Sequence, residues 1–451
     1  MFKKVLVFVS LFLILIASSG SIQASTIPTF NASNANEAMA DTQNDYYFQL
    51  SKKIHPGDSA TLIGMNSIIT DQDNLFVGGR NNGKFYIFER NQGGAENWGL
   101  FRSLTNTIDS GDIYFGSVAA LDGDTLVVGS YGYDDFHGAI LIFERDQGGP
   151  DNWGLVTSID GRTLYNDASF YGSFGKSVAI SGDTIVAGAS MGFATGGVHI
   201  FERNQGGADH WGPTSVVNDP ALGDPYTAFG EVVTIEGDTL VISAVRESYG
   251  GYSNPGAVYV FERNQGGFGN WGQVGKLTGY LNHGVYFGDS LSIDGDTLVV
   301  GEPGFGYGSN PDFGAALVFR RNLSNPNHWE EVIRLFDPVW SYDALFGDSL
   351  DIEGDTIVVG SPGDSSVSSP PPGAVVVFER NEGGAENWGY TARIVDPTGI
   401  LKDYFGSQVS ISGGTLGIGV RGDDDFGSNA GAVHVFEKQT LLKNYLPIVI
   451  R

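Results

Sequence analysis

Few side chains in this 451-residue chain have the type and spacing to do chemistry, and most fail on their setting. Gly188-Ala189-Ser190-Met191-Gly192 has the G-x-S-x-G spacing of a serine-hydrolase nucleophile elbow. That device needs a strand before the serine and a helix after it, and no helical pattern follows here. The seven histidines include no H-E-x-x-H and no pair at ligand spacing. Arg421-Gly422-Asp423 spells an adhesion tripeptide, but it falls where a Gly-rich loop runs into acids. The strongest candidates are acidic and aromatic: Asp423, Asp424 and Asp425, with Asp134 and Asp135 at the matching place earlier, could hold a cation or face a basic partner. A solvated acidic turn is the simpler account of them and the one expected. No acid pair or nucleophile–base set breaks the background, so catalysis is not expected. A hydrolase or lyase with its site at a channel mouth, and a structural envelope or matrix component, remain the alternatives.

That background is a repeat. Phe-Gly recurs at Phe115, Phe174, Phe229, Phe287, Phe346 and Phe405, with a degenerate copy at Ile63-Gly64, and the glycines are 52 to 59 residues apart. Periods of this size mean stacked supersecondary units, and seven of them suit a closed ring of blades. Each unit reads as four short strands. A turn such as Asp294-Gly295-Asp296-Thr297 separates the first two as a primed hairpin, with Gly and Asp supplying positive φ. The third strand, as in Ala257-Val258-Tyr259-Val260-Phe261, is apolar throughout, as expected where both faces are covered. Phe-Glu-Arg, Asn-Gln-Gly-Gly and Trp-Gly follow, opening the fourth strand through a longer hairpin. Thirteen of the 29 phenylalanines occupy just the Phe-Gly and Phe-Glu-Arg positions and are expected to fill the core between blades. His199 and His434 share a third-strand position and are assigned to core or channel.

Ring closure follows from spacing. Tyr46 precedes Gly64 by the 18 residues that separate Trp98 from Gly116, while the last copy ends near Glu437 without a Trp-Gly continuation. Residues 46–54 are therefore expected to supply the fourth strand of the seventh blade. The expectation is an all-β, seven-bladed β-propeller of four-stranded antiparallel blades over residues 44–438, closed by the N-terminal strand, with no exposed sheet edge.

The seven phased copies resemble the FG-GAP repeat family, whose best-known members form the head of integrin α subunits and whose bacterial members are secreted or surface proteins. The resemblance covers about residues 46–438 and implies a propeller used for binding and adhesion. Calcium-binding integrin repeats carry an Asp-rich insertion between the first two strands. Here that loop is only Asp-Gly-Asp, Ser-Gly-Asp, Glu-Gly-Asp or Ser-Gly-Gly, too short to wrap six or more oxygens around Ca²⁺. No cofactor is expected, and the family's calcium sites are not carried over.

Lys3 and Lys4, an apolar run from Val5 to Ile16 and small residues to Ala24 have the layout of a Sec-type signal peptide, residues 1–24. Twelve apolar residues fall short of the roughly 20 that span a bilayer, so no transmembrane span is expected in the mature chain. Residues 25–43 read as a flexible leader. The apolar tail 439–451 reads as an added strand or a sorting signal. There is no cysteine, so no disulfide supports the ring. The net charge of −27 disfavours nucleic acid and anionic lipid and favours solubility outside the cell. The expected protein is a secreted or cell-surface monomer.

The repeat separates two faces. The Gly-Asp turns and Asn-Gln-Gly hairpins are uniform. The loops entering each Phe-Gly and those joining strands two and three vary, as in SYGYDDFHG, VRESYGGYSNPG and EPGFGYGSNPDFG. Variable loops on a rigid scaffold are where binding is placed, so the candidate ligand-binding residues are Tyr131, Tyr133, Asp134, Asp135, Tyr249, Tyr252 and Tyr307. The partner class is an extracellular protein or polysaccharide.

Overall fold

A computed structural model describes residues 46–440 apart from short loop segments at 58–61, 81–82, 166–171, 191–195, 222–225, 280–284, 307–312, 364–372, 397–398, 400–402 and 428–429 and a few single positions. The signal peptide, the leader, Tyr307 and the tail beyond residue 440 lie outside the described residues.

The strands assemble into seven four-stranded antiparallel sheets. Six are contiguous: blade 1 spans 62–105, blade 2 119–160, blade 3 177–218, blade 4 229–278, blade 5 291–335 and blade 6 350–395. Blade 7 joins Phe405–Ser412, Thr415–Val420 and Ala432–Thr440 to the N-terminal strand Tyr46–Ile54. That strand pairs antiparallel with the third strand from Tyr46 opposite Thr440 to Ile54 opposite Val433, as the spacing predicts. The third strand runs to Thr440, two residues into the segment read as tail. First strands touch their neighbours all the way round and so surround the axis.

Each blade is built as its sequence dictates, with one difference. The first hairpin has a two-residue loop in which glycine takes the left-handed conformation, as at Gly123 (φ 55°) and Gly295 (φ 57°). The following aspartate keeps negative φ. It is retained for its carboxylate, which grips an arginine of its own blade: Arg203 Nε donates to Asp183 at 2.9 Å, and Arg380 Nε to Asp355 at 2.7 Å.

The core lies between blades rather than within one. Third strands are buried almost end to end, and the Phe-Gly rings of blades 2 to 6 are fully enclosed. Those of blades 3 to 6 meet the Phe at the Phe-Glu-Arg position of their own blade edge-on, as Phe287 meets Phe319 at 6.1 Å and Phe346 meets Phe378 at 6.2 Å.

Candidate functional site

Two features differ from blade to blade: the carboxylates around the axis and the loops of the variable face. Around the axis, the residue after Phe-Gly is Lys176 in blade 3, Glu231 in blade 4, Asp289 in blade 5 and Asp348 in blade 6. Lys176 Nζ pairs with Glu231 at 2.8 Å. Asp289 is pushed up to about 7 by burial and then by the Asp348 charge, and burial pushes Asp348 up to about 6. Asp351, beside them on the first strand of blade 6, is likewise raised to about 6 by burial, although it accepts hydrogen bonds from Ser292 of blade 5 and the Ile411 amide of blade 7. It ties three blades together.

These shifts have a sign. A carboxyl whose folded pKa is raised holds its proton in the ring at pH values where the unfolded chain has released it, so folding gains as pH falls through 7 towards 4. His199, pushed down to about 4 by burial, works against this below its ordinary value of 6.5. Three carboxyls outweigh one imidazole. Asp423 runs the other way at lower pH. Burial alone would raise it, but His434, the Asp425 amide and Lys53 hold it down to about 2, so its contribution is lost as pH falls below 4. The expected result is a thermal midpoint a few degrees higher at pH 5.5 than at pH 8 that drops again below pH 4, measured by scanning calorimetry. Replacing Asp289 and Asp348 by Asn should flatten the rise. A midpoint that falls steadily from pH 8 to 5.5 would contradict the assignment.

On the variable face, blade 2 brings together residues from two loops. Asp109, Gly111, Asp112 and Tyr114, which enter the second blade's Phe-Gly, line an open cleft of about 300 Å³ with Gly132, Asp134, Asp135 and Phe136. Tyr131 and Phe136 pack at a tilt against Tyr114, with ring centroids 4.7 and 5.7 Å away, forming an aromatic trio at its edge. Asp112 is buried and accepts from the Tyr114 amide at 2.8 Å and from the Ser130 hydroxyl; burial raises its pKa. Asp134, Asp135 and Phe136 are three successive non-glycine residues with left-handed φ, at 50°, 56° and 67°. Such a run stores strain of about 1–3 kcal/mol per residue and persists where the surroundings enforce it, commonly at functional sites. Asp134 also pairs with Arg162.

The other candidates part company. Tyr133 packs against the core between blades 1 and 2. Tyr249 packs on the blade 3–4 core, donates to the Gly256 carbonyl at 3.1 Å, and is raised to about 12, chiefly by burial. Tyr252 sits beside it in the same blade 4 loop, its amide donating to the Tyr249 carbonyl at 3.0 Å. These tyrosines belong to a loop two blades away from the acidic cleft. Sequence reasoning missed Asp109, Asp112, Tyr114 and Phe136. The signal available was the run Asn106-Thr-Ile-Asp-Ser-Gly-Asp-Ile-Tyr114, whose acids alternate with turn formers.

Asp423 to Asp425 face a cation supplied by the chain itself. Lys53 of the closing strand reaches Asp423 Oδ2 at 3.3 Å and Asp425 Oδ2 at 2.9 Å. His434, fully buried, turns Nε2 towards Asp423 Oδ2 (3.4 Å) and Nδ1 towards Asp396 Oδ2 (3.8 Å). Asp396, Asp423 and His434 lie close enough to hold a metal ion. Opposite edges of one imidazole face the two carboxylates, so the ring itself lies between them. The family's calcium position fits no better, because the hairpin aspartates there are engaged by arginines within two-residue turns.

Seven four-stranded blades closed by the N-terminal strand define a β-propeller. An FG-GAP repeat family model matches residues 146–201, 221–261, 271–319 and 388–436, so the chain carries FG-GAP repeats. Among solved structures it resembles the β-propeller domain of Cps50 (Swd1) from Myceliophteria thermophila, with 12% identity and a TM-score of 0.51 over 86% of this chain and 99% of that one. At that identity the likeness concerns the fold alone. No curated protein matches the chain. Among the described residues no helix is long and apolar enough to cross a membrane.

Proposed function

We propose that this FG-GAP propeller is a non-catalytic binding and adhesion module, secreted or held at the cell surface, that recognises an extracellular protein or polysaccharide through the variable loops of one face and works as a monomer without a cofactor. The observation that carries the reading is the blade 2 turn Asp134-Asp135-Phe136, held in a strained left-handed run beside an aromatic trio and an acidic cleft. Aromatic rings give contact area at low entropic loss, and the acids steer a basic or hydroxyl-rich partner. The N-terminal layout of two lysines and an apolar run supports export.

The test is a glycan and protein array probed with the full chain, followed by variants. Replacing Tyr131, Asp135 and Phe136 by Ala together is expected to weaken binding of the partner found about tenfold or more, with the thermal midpoint retained, since none of the three belongs to the enclosed core. Changing Asn264 and Gln265, on the opposite face of blade 4, should leave binding intact. The reverse pattern would reject the face assignment.

A further inference from the structure

The uniform face departs from its pattern at two of seven seams: between blades 1 and 2 Arg145 reaches Asp71 (3.8 Å) and Asp124 (3.1 Å), and between blades 5 and 6 the glutamate itself is replaced. In five seams between blades the basic residue after Phe-Glu crosses to the Glu of the preceding blade: Arg90 to Glu437 (2.9 Å), Arg203 to Glu144 (2.5 Å), Arg263 to Glu202 (2.5 Å), Arg321 to Glu262 (2.6 Å) and Lys438 to Glu379 (3.0 Å). The same Glu accepts from a threonine of its own second strand, as Thr239 donates to Glu262 at 3.0 Å and Thr356 to Glu379 at 2.9 Å. The arginine meanwhile lies over the Trp of its own blade, Arg263 over Trp271 at 4.7 Å and Arg380 over Trp388 at 4.8 Å. The four arginine seams among these are thus built from guanidinium, carboxylate and hydroxyl in mutual contact.

Between blades 5 and 6 the carboxylate is replaced. Blade 5 reads Phe319-Arg320-Arg321 where the others read Phe-Glu followed by Arg or Lys. Arg380 still donates through Nη2 to Thr297 at 3.2 Å and through Nε to Asp355 at 2.7 Å, and among the described residues no carboxylate of blade 5 meets its Nη1. Arg320 turns outwards to Glu386. A cleft of about 720 Å³, lined by Arg320, Arg380, Thr297, Asp355 and Glu386 among others, opens at this seam.

We propose that this cleft binds a saccharide unit bearing a carboxylate, whose carboxylate takes the place that Glu262 or Glu202 occupies at the neighbouring seams, against Arg380 Nη1 and the Thr297 hydroxyl, with Arg320 closing over it from the rim. The molecule itself supplies the template for the contact, since Arg263 and Arg321 hold a carboxylate in that manner at 2.5 and 2.6 Å. A sugar suits the remainder of the lining. Asp294, Asp296 and Glu386 and the Gly295 carbonyl offer acceptors for hydroxyls. An acidic peptide would bring several charges against these same carboxylates on a chain of net charge −27.

The experiment is calorimetric titration of the full chain with galacturonate, its methyl ester and hexaglutamate. Galacturonate is expected to bind, and the other two to bind at least about tenfold more weakly, as the loss of one charge-assisted pair implies. Arg320→Glu restores the repeat's own carboxylate and should block the acid about tenfold while raising the thermal midpoint. Thr297→Val, which keeps the size of the side chain, should weaken binding about threefold or more by removing the hydroxyl. Equal binding of acid and ester, unchanged binding by Arg320→Glu, or preference for hexaglutamate would each overturn the proposal.

Discussion

Removing residues 46–54 is expected to abolish the stable ring, so that a chain starting at residue 55 is recovered insoluble or melts at least 10 °C below the full chain. The N-terminal strand makes the whole fourth-strand ladder of blade 7 and buries Phe48 and Ile54 to within a few per cent of full enclosure. Burying those two side chains contributes about 1.5–3 kcal/mol each. Its polar groups reach further: Lys53 bridges Asp423 and Asp425, and the Tyr46 hydroxyl donates to Glu379 of blade 6 at 2.5 Å. Without the strand, an unpaired apolar edge and a carboxylate cluster would be exposed together at the point where the ring closes, and an open edge templates association. The total rivals the 5–15 kcal/mol by which whole domains are stable. Thermal unfolding and light scattering of both forms decide the matter. The milder Lys53→Ala should lower the midpoint by only a few degrees, because the ladder and the two apolar anchors remain. Retention of the full-length midpoint by the shortened chain would show that the strand is an accessory to the ring rather than its clasp.

The ring was legible in the sequence because a repeat multiplies weak signals. One Phe-Gly means little, whereas seven in phase fix blade number, strand order and the place of the closing strand. Burial of Phe287 or of Val258 to Phe261 followed from position alone. What repetition hid was the chemistry of its constant residues. The Arg of Phe-Glu-Arg, the Asp and Thr of Gly-Asp-Thr and the Trp of Trp-Gly are far apart in sequence and look like turn and strand furniture, yet they meet across seams, as Arg203 meets Glu144, Asp183, Thr125 and Trp211. Pairings between adjacent copies cannot be read from one copy. For the same reason the Arg320 substitution is visible in the sequence but carries no meaning until the seam around it is known. On the variable face, Asp134 and Asp135 were legible as a loop, but their partners Asp112 and Tyr114 belong to a different connection, brought alongside by the hairpin register of blade 2. Tyr133 and Tyr249 show the limit of composition. A tyrosine in a variable loop can face inwards, and only packing decides which.

Gly301→Ala is expected to destabilise the propeller by about 3 kcal/mol or more, seen as a fall in thermal midpoint of roughly 5–10 °C. Gly301 lies in the second strand of blade 5, directly against the Phe-Gly turn of blade 6. A Cβ there would stand 2.1 Å from the Gly347 carbonyl oxygen and 2.2 Å from Ser290 Oγ. Neither neighbour can step aside cheaply. The Gly347 carbonyl accepts from Ser290 at 2.7 Å, its amide donates to the Gly360 carbonyl at 2.9 Å, and Phe346 beside it is completely enclosed. The same close approach recurs from Gly129 to Gly175, from Gly188 to Gly230 and from Gly360 to Gly406, at 2.1–2.2 Å. The glycines of the repeat are therefore needed for contact between blades as well as for backbone conformation. Blade 4 supplies an internal control. Its corresponding residue is Ser243, and Gly288 of the next blade stands off so that a Cβ on Gly288 would lie 3.1 Å from the Ser243 Cβ. Ser243→Ala should consequently lose far less, chiefly the hydrogen bond that its hydroxyl accepts from the Val232 amide, about 1 kcal/mol. Measured side by side by calorimetry, a large fall for Gly301→Ala and a small one for Ser243→Ala are the expected pair. Equal effects would mean that the seams are soft enough to open by a methyl group, which the shared carbonyl contacts at those three other seams argue against.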